Sequence, residues 1–156
     1  MNTLETWELL SYVVTVVMLP LAIVVFILEQ KKERINEEEE LYQKLNLEYA
    51  DFSKLLLQNS DLGLMSNENQ GTNFTSEQLE RKKIMFDLLI SLFERAYILV
   101  HEDYMSPQTA RLWHTWEDYI RFWCKRSDFR NAMEELLEGE DPEFKGFILK
   151  IALEKV

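Results

Sequence analysis

The chain has 156 residues, with 17 lysines and arginines against 28 aspartates and glutamates, and a formal net charge of −11. This acidic balance disfavours binding to nucleic acids and to anionic lipid surfaces, both of which depend on contacts from lysine and arginine. A single cysteine, Cys124, excludes an internal disulfide and agrees with a reducing compartment.

The first element in the chain is an uncharged apolar run from Leu9 to Leu28. A helix of this run, at roughly 1.5 Å per residue, would be about 30 Å long, which is the thickness of a bilayer's hydrocarbon core. A buried core helix rarely reaches this length without a charge, and a cleaved signal peptide fits worse because residues 1–8 lack lysine and arginine. Residues 1–28 are therefore predicted to form an N-terminal flank and one transmembrane helix.

The flanks of this helix predict its orientation. No lysine or arginine precedes it, whereas Lys31, Lys32 and Arg34 follow it directly, and such basic flanks are retained on the cytoplasmic side. We therefore expect a single-pass inner-membrane protein with its N-terminus outside and a cytoplasmic domain of residues 29–156. This domain contains all 17 basic residues and 26 of the 28 acidic ones, so its formal charge is −9.

One face of the predicted span carries its small and weakly polar side chains. They are Ser11, Thr15, Met18 and Ala22, and the other positions are mostly Val, Leu and Ile. Small residues favour contact between helices in lipid, so this face predicts self-association. The same face is too apolar for the wall of a wet, selective pore.

The segment from Glu29 to Gln58 contains neither glycine nor proline, so we expect the transmembrane helix to continue into the cytoplasmic domain. Large apolar side chains recur in it at alternating spacings of three and four, which is typical of a helix that packs on other helices. They are Tyr42, Leu45, Tyr49, Phe52 and Leu56. We interpret the first four as a second oligomer interface, with burial inside the chain's own bundle as the alternative.

A polar segment from Asn59 to Thr75 lacks periodicity and predicts the one long loop. Thr75, followed three residues later by Gln78, resembles a capping box that opens a second helix running to about His101. We expect the buried face of this helix to consist of Ile84, Leu88, Leu92 and Leu99.

Two proline pairs predict further helix starts. Ser106 before Pro107 combines a capping side chain with a proline whose missing donor costs nothing in the first turn. Asp141 before Pro142 repeats this pattern, and Ser127 predicts the cap of a short helix between them. No strand pattern appears, so we expect an all-α protein, with one N-terminal transmembrane helix continuing into a cytoplasmic bundle of about five helices.

Aromatic residues dominate the third helix, which we expect to run to about Arg126. Its tryptophans, Trp113, Trp116 and Trp123, recur at helical spacing, which favours core packing over a ligand site. Cys124 lies beside one of them and, although basic neighbours could lower its pKa, we interpret it as inert packing.

Charged residues inside apolar helices are the remaining candidates for chemistry. Buried charges persist only when paired, so we predict that Arg95 pairs with Glu117 or Asp118, with exposure to water as the alternative. Arg95 and His101 also fit the arginine, four to six residues, histidine pattern of the helical ribonuclease superfamily known as HEPN. That resemblance implies an arginine that steadies a phosphate and a histidine that transfers protons, although Ala96 replaces the usual polar residue.

No motif predicts a cofactor or a metal. The sequence contains no Walker loop, no dinucleotide-binding glycine pattern and no paired-cysteine zinc spacing. His114 and Glu117 have the spacing of a shared helical metal site, but such a site needs several further carboxylates from other helices.

A wider resemblance rests on three stretches, Phe26–Arg34, Ser91–Tyr97 and Trp113–Tyr119. With them the chain resembles single-pass prokaryotic proteins in which a membrane anchor precedes a cytoplasmic helical domain. A looser similarity is to membrane accessory proteins of prokaryotic antiviral systems of the CRISPR type, which join a transmembrane helix to a bundle and form oligomers. The resemblance implies an architecture and supplies no catalytic residues.

Two classes of function remain. We favour a non-enzymatic, membrane-anchored scaffold or regulatory protein that forms a homo-oligomer, docks a cytoplasmic protein partner, or does both. The alternative is a membrane-associated effector of prokaryotic defence, either an oligomeric pore or a ribonuclease that uses Arg95 and His101.

Overall fold

The computed structural model describes residues 3–66 and 73–154, and these ranges contain helices and no strand. The α-helices are α1 (Thr3–Gln58), α2 (Ser76–Val100), α3 (Pro107–Cys124), α4 (Ser127–Leu136) and α5 (Pro142–Leu153), with a 3₁₀ helix at Ser60–Leu62 after α1. The predicted all-α class is confirmed. So is the continuity of the first helix beyond Leu28, because α1 does not break before Gln58.

The chain divides into two compact units, residues 1–40 and 41–156. The first unit contains α1 up to Glu40, and its described side chains from Ser11 to Leu28 are all exposed. An 18-residue window of this helix has a mean hydropathy of 2.7, and none of it is buried. By length and composition, α1 could cross a membrane.

The second unit is a helical bundle around an aromatic core. The last part of α1 and the helices α2 to α5 all contribute to this core. Trp116, Trp123 and Phe93 are fully buried, as are Phe129 and Phe144. The prediction that the tryptophans of α3 pack in the core is confirmed.

Three of the four predicted helix starts have the expected caps. Thr75 and Gln78 form both bonds of a capping box, and the Ser106 and Asp141 side chains accept backbone N–H bonds ahead of a proline. The predicted cap at Ser127 is wrong, because Ser127 is the first residue of α4 and Arg126 is its N-cap. The Asp128 carboxylate accepts the Phe129 N–H at 2.9 Å, which satisfies one of the donors that a cap would serve.

The predicted buried face of α2 is wrong at three of four positions. Ile84, Leu88 and Leu99 are 51%, 44% and 46% exposed, and Leu92 alone is buried. The buried residues are Met85, Phe86, Leu89, Ile90, Leu92, Phe93, Ala96 and Val100. Because α2 contacts α3, α4 and α5, its buried surface is broad and lies to one side of the predicted stripe.

The described part of the predicted loop is partly structured. After the 3₁₀ helix the chain turns at Gly63, whose φ of 59° lies in the left-handed region. Leu62 and Leu64 are 2% and 4% exposed, so they belong to the core on both sides of this turn. The segment 60–66 is therefore packed against the bundle.

Candidate functional site

Arg95 and His101 contact different parts of the bundle. Arg95 lies within α2, whereas His101 is the C-cap that follows it. Six positions correspond to about 120° around a helix axis, so the two residues leave α2 in different directions. Arg95 Nη1 donates to Glu48 Oε2 of α1 at 2.5 Å. The His101 ring stacks on Tyr97 at a centroid distance of 4.6 Å and meets Trp113 edge-on at 4.9 Å. The structure thus gives each residue its own set of neighbours within the bundle.

The predicted pairing of Arg95 with Glu117 or Asp118 is wrong, because its guanidinium binds Glu48 and its side chain is 52% exposed. Glu117 accepts from Arg121 Nη2 of its own helix at 2.6 Å, so it is already paired. Its other oxygen lies 3.8 Å from His114 Nδ1. Among the described residues, no group of three or more His, Cys, Asp or Glu side chains is placed to hold a metal ion.

Cys124 has the inert packing role that we expected. Its side chain is buried, and this burial raises the pKa of the thiol to about 12. The thiol therefore stays protonated at neutral pH and is a poor nucleophile. In the same core, Trp123 Nε1 donates to Tyr49 Oη at 3.5 Å, while Trp116 Nε1 has no hydrogen-bond partner among the described residues.

The interface predicted for the N-terminal apolar segment lies on an exposed part of α1. Ser11, Thr15, Met18 and Ala22 are all exposed. Thr15 Oγ1 donates to the Ser11 carbonyl at 2.9 Å, which satisfies the hydroxyl within its own helix. Contact between this face and a second copy stays a prediction.

The second predicted interface is largely used inside the chain. Leu45 and Phe52 are 1% and 4% exposed, and Tyr42 and Tyr49 are half-buried against the same core. Side chains this deeply buried have little area left for another subunit. The burial favours the alternative stated above, in which this stripe belongs to the chain's own bundle.

A partly enclosed cavity of about 960 Å³ lies in the second unit. Its walls come from the last turns of α1, the segment 60–66, Phe74, Lys82 of α2, and the residues at the start of α4. The wall is mainly apolar, with Tyr49, Leu56, Leu57, Leu62, Leu64, Met65 and Phe74. A volume of this size is within the range of about 300–1,000 Å³ that small-molecule sites occupy.

Three charged side chains form one end of this cavity. The Asp128 carboxylate binds Lys82 Nζ at 2.5 Å and Arg126 Nη2 at 2.7 Å. Arg126 Nη1 also donates to the carbonyls of Leu64 and Ser66, at 2.9 and 3.1 Å. Burial alone would raise the pKa of Asp128, but the hydrogen bonds from Arg126 and Lys82 outweigh this effect and lower it to about 2.

Lys82 has fewer polar partners than Arg126 in this charged cluster. Its ammonium lies 5.1 Å from the centre of the Phe74 ring and 5.6 Å from that of Phe86, and its side chain is 15% exposed. The sequence did not reveal the cluster because Lys82 and Asp128 are far apart in the chain. The one local signal is Arg126 followed by Asp128 at the start of α4. An ion pair that only stabilises the start of the helix would explain that pattern equally well.

A second polar cluster joins α2 to the turn before α5. The Glu94 carboxylate accepts the Asp141 N–H at 2.5 Å. A hydrogen bond with Glu94, together with burial, raises the pKa of Glu140 to about 7. Glu140 therefore keeps its proton over the acidic side of neutrality.

No protein-family model, no curated protein and no solved structure matches this chain. Its own residues therefore carry the functional proposals.

Proposed function

We propose that this chain is a non-enzymatic, membrane-anchored helical scaffold or regulatory protein that self-associates or docks a cytoplasmic protein partner. The observation that carries the proposal is the apolar helix from Ser11 to Leu28, whose side chains are exposed on every face. Exposed apolar area costs roughly 25 cal/mol per Å² in water, so a helix of this kind needs a cover. A bilayer provides that cover without any partner protein.

The orientation and the mode of association follow from residues on the same helix. The basic side chains after the apolar segment support an inner-membrane location with the bundle in the cytoplasm. Self-association would use the face of Ser11, Thr15, Met18 and Ala22, where small side chains let two helices approach closely. We leave the deeply buried stripe at Leu45 and Phe52 out of this interface.

Structural roles for the candidate catalytic residues support a non-enzymatic protein. The Arg95 guanidinium is bound to Glu48, the His101 ring is packed between aromatic side chains, and the Cys124 thiol is protonated. The ribonuclease alternative stays a prediction, and it would require Arg95 and His101 to act on one phosphate in addition to the packing contacts that each already makes.

Membrane extraction tests the anchor. The full chain, expressed in a bacterium, is expected in the membrane pellet after extraction with alkaline carbonate. The double variant Val17→Arg and Val24→Arg should move it to the supernatant, since each arginine costs about 2.5–3.5 kcal/mol near the middle of a span. The control is Val17→Leu and Val24→Leu, which keeps the segment apolar and should stay in the pellet. Release of the unaltered chain by carbonate would overturn the proposal.

A further inference from the structure

We infer that the cavity beside Lys82 and Arg126 binds a single-chain amphiphile with an anionic headgroup, such as a long-chain fatty acid or a lysophospholipid. The walls would hold the hydrocarbon chain, and the two cations would hold the carboxylate or phosphate. This site goes beyond the proposed function and does not rest on it, because every residue involved belongs to the bundle unit of residues 41–156.

The walls of the cavity suit a hydrocarbon chain better than a polar metabolite. Leu57 and Met65 line the cavity and are 77% and 63% exposed. Large apolar side chains at a cavity opening are a cost in water and a contact surface for an apolar ligand. Methionine has a flexible, polarisable side chain, which adapts to chains of different length and bend.

The charged end of the cavity suits one negative charge. Asp61 also lines the cavity, but Arg81 Nη2 binds it at 2.6 Å and neutralises it. Two cations, Lys82 and Arg126, then remain against the single carboxylate of Asp128. The N-terminus of α4 adds a partial positive charge at the same place, and the Asp128 carboxylate takes up one of its N–H groups, that of Phe129. The acidic domain repels anions in general, and this cluster reverses that repulsion locally.

The two cations are held in different ways. Two backbone carbonyls and Asp128 fix the Arg126 guanidinium, so it is in place before any ligand arrives. An ammonium has three donors, and the only polar partner that the structure gives Lys82 among the described residues is Asp128. Arg126 and Asp128 alone would be enough to hold the segment 60–66 in place, because Arg126 donates to its carbonyls and Asp128 orients Arg126. Lys82 is therefore the residue that we assign to the headgroup.

A photoreactive fatty acid tests this site in the full chain. The probe is a palmitic acid analogue with a diazirine in mid-chain, added to the protein in nanodiscs of phosphatidylcholine and then irradiated. Peptide mass mapping should place the label on cavity residues such as Leu57, Met65 and Phe74. Lys82→Gln should lower this labelling about tenfold, the effect of losing one charge-assisted hydrogen bond. Lys83→Gln is the matched control, because that lysine binds Glu135 and does not line the cavity.

A second variant tests the cavity without touching its charge. Ser53 lines the cavity, and Ser53→Phe should fill part of it and reduce labelling while both cations remain. Thermal melts show whether each variant is folded, and if Lys82→Gln unfolds, Ser53→Phe decides the result. Label confined to residues 9–28, or equal labelling of both variants and the unaltered chain, would overturn the inference.

Competition distinguishes the source of the headgroup. Unlabelled palmitate and lysophosphatidylglycerol should both displace the probe if the site recognises a negative charge, and the stronger competitor identifies a carboxylate or a phosphate. Neutral lysophosphatidylcholine should displace it poorly, and equal displacement by all three would overturn the headgroup assignment. If carbonate releases the chain from membranes, the same labelling is done in buffer. The membrane-anchor proposal and the ligand-site inference are therefore tested independently.

Discussion

The ring of Tyr49 in α1 stacks on the ring of Tyr119 in α3, with centroids 4.1 Å apart and planes within 7°. Tyr49 also meets the edge of Trp116 and accepts the Trp123 indole N–H. Burial raises the pKa of Tyr49, so its hydroxyl stays neutral in this setting. This contact makes the last turns of α1 part of the bundle core, and it explains why the stripe on α1 has little surface left for another subunit.

Removing Trp116 should destabilise the bundle strongly. Trp116→Ala deletes a fully buried aromatic side chain and should cost about 3–5 kcal/mol in the free energy of unfolding. Urea denaturation followed by circular dichroism measures this change. Phe122→Ala, at a side chain that is 42% exposed on the same helix, is the control and should cost about 1 kcal/mol or less. Similar losses for the two variants would place Trp116 outside the core.

The Glu94 and Glu140 pair should make stability depend on pH. The folded pKa of Glu140 is about 7 against an ordinary 4.5, so the folded state binds its proton more tightly than the unfolded state. The resulting stabilisation is present at acidic pH and is lost as the pH rises from about 4.5 through 7. Glu140→Gln keeps a hydrogen-bond donor and should flatten this part of the profile.

Thermal midpoints between pH 5 and pH 8 provide the measurement for that variant. Glu138→Gln is the control, because it changes an exposed carboxylate nearby. We expect it to have the same pH profile as the unaltered chain. Asp128 does not confuse the result, because its lowered pKa places its own loss of stability at much more acidic pH. Equal profiles for Glu140→Gln and the unaltered chain would rule out the raised pKa of Glu140.

Neutralising Asp128 should cost far more than neutralising an exposed aspartate. Asp128→Asn leaves Lys82 and Arg126, whose side chains are 15% and 11% exposed, without their shared counter-charge. We expect a loss of about 3 kcal/mol, the lower end for breaking a buried ion pair. Asp51→Asn removes a pair whose partners are 71% and 70% exposed and should cost under about 1 kcal/mol. Chemical denaturation measures the free energy of unfolding of both variants. Equally small losses would show that the Asp128 ion pairs behave as solvent-exposed pairs.

Cysteine crosslinking tests self-association through the span. In a Cys124→Ala background, Thr15→Cys should form disulfide-linked dimers in oxidised membranes, because Thr15 lies on the face of small residues. Val13→Cys has nearly the same depth but lies on the far side of the helix, so it should crosslink poorly. Phe52→Cys should not crosslink, since Phe52 is 4% exposed in the bundle. No dimer at Thr15, with a monomer mass in mild detergent, would remove self-association from the proposed function.

The sequence by itself determined the helices and most of their starts. A cap is formed between a side chain and a backbone N–H two or three residues later, so Thr75, Ser106 and Asp141 could be read without any knowledge of the fold. The aromatic spacing of α3 was equally informative, because a helix with three tryptophans on one face has to bury them.

Only the tertiary structure decided which apolar face of α2 is buried and which charges meet. Both faces of α2 have helical spacing, and the choice depends on how many helices pack around it. Arg95 pairs with Glu48, and Lys82 pairs with Asp128. The partners in each pair are more than 40 residues apart in the sequence, so no local pattern predicts either pair. The cavity arises in the same way, because its walls come from α1, the segment 60–66 and α4, and its space exists only once these elements are packed together.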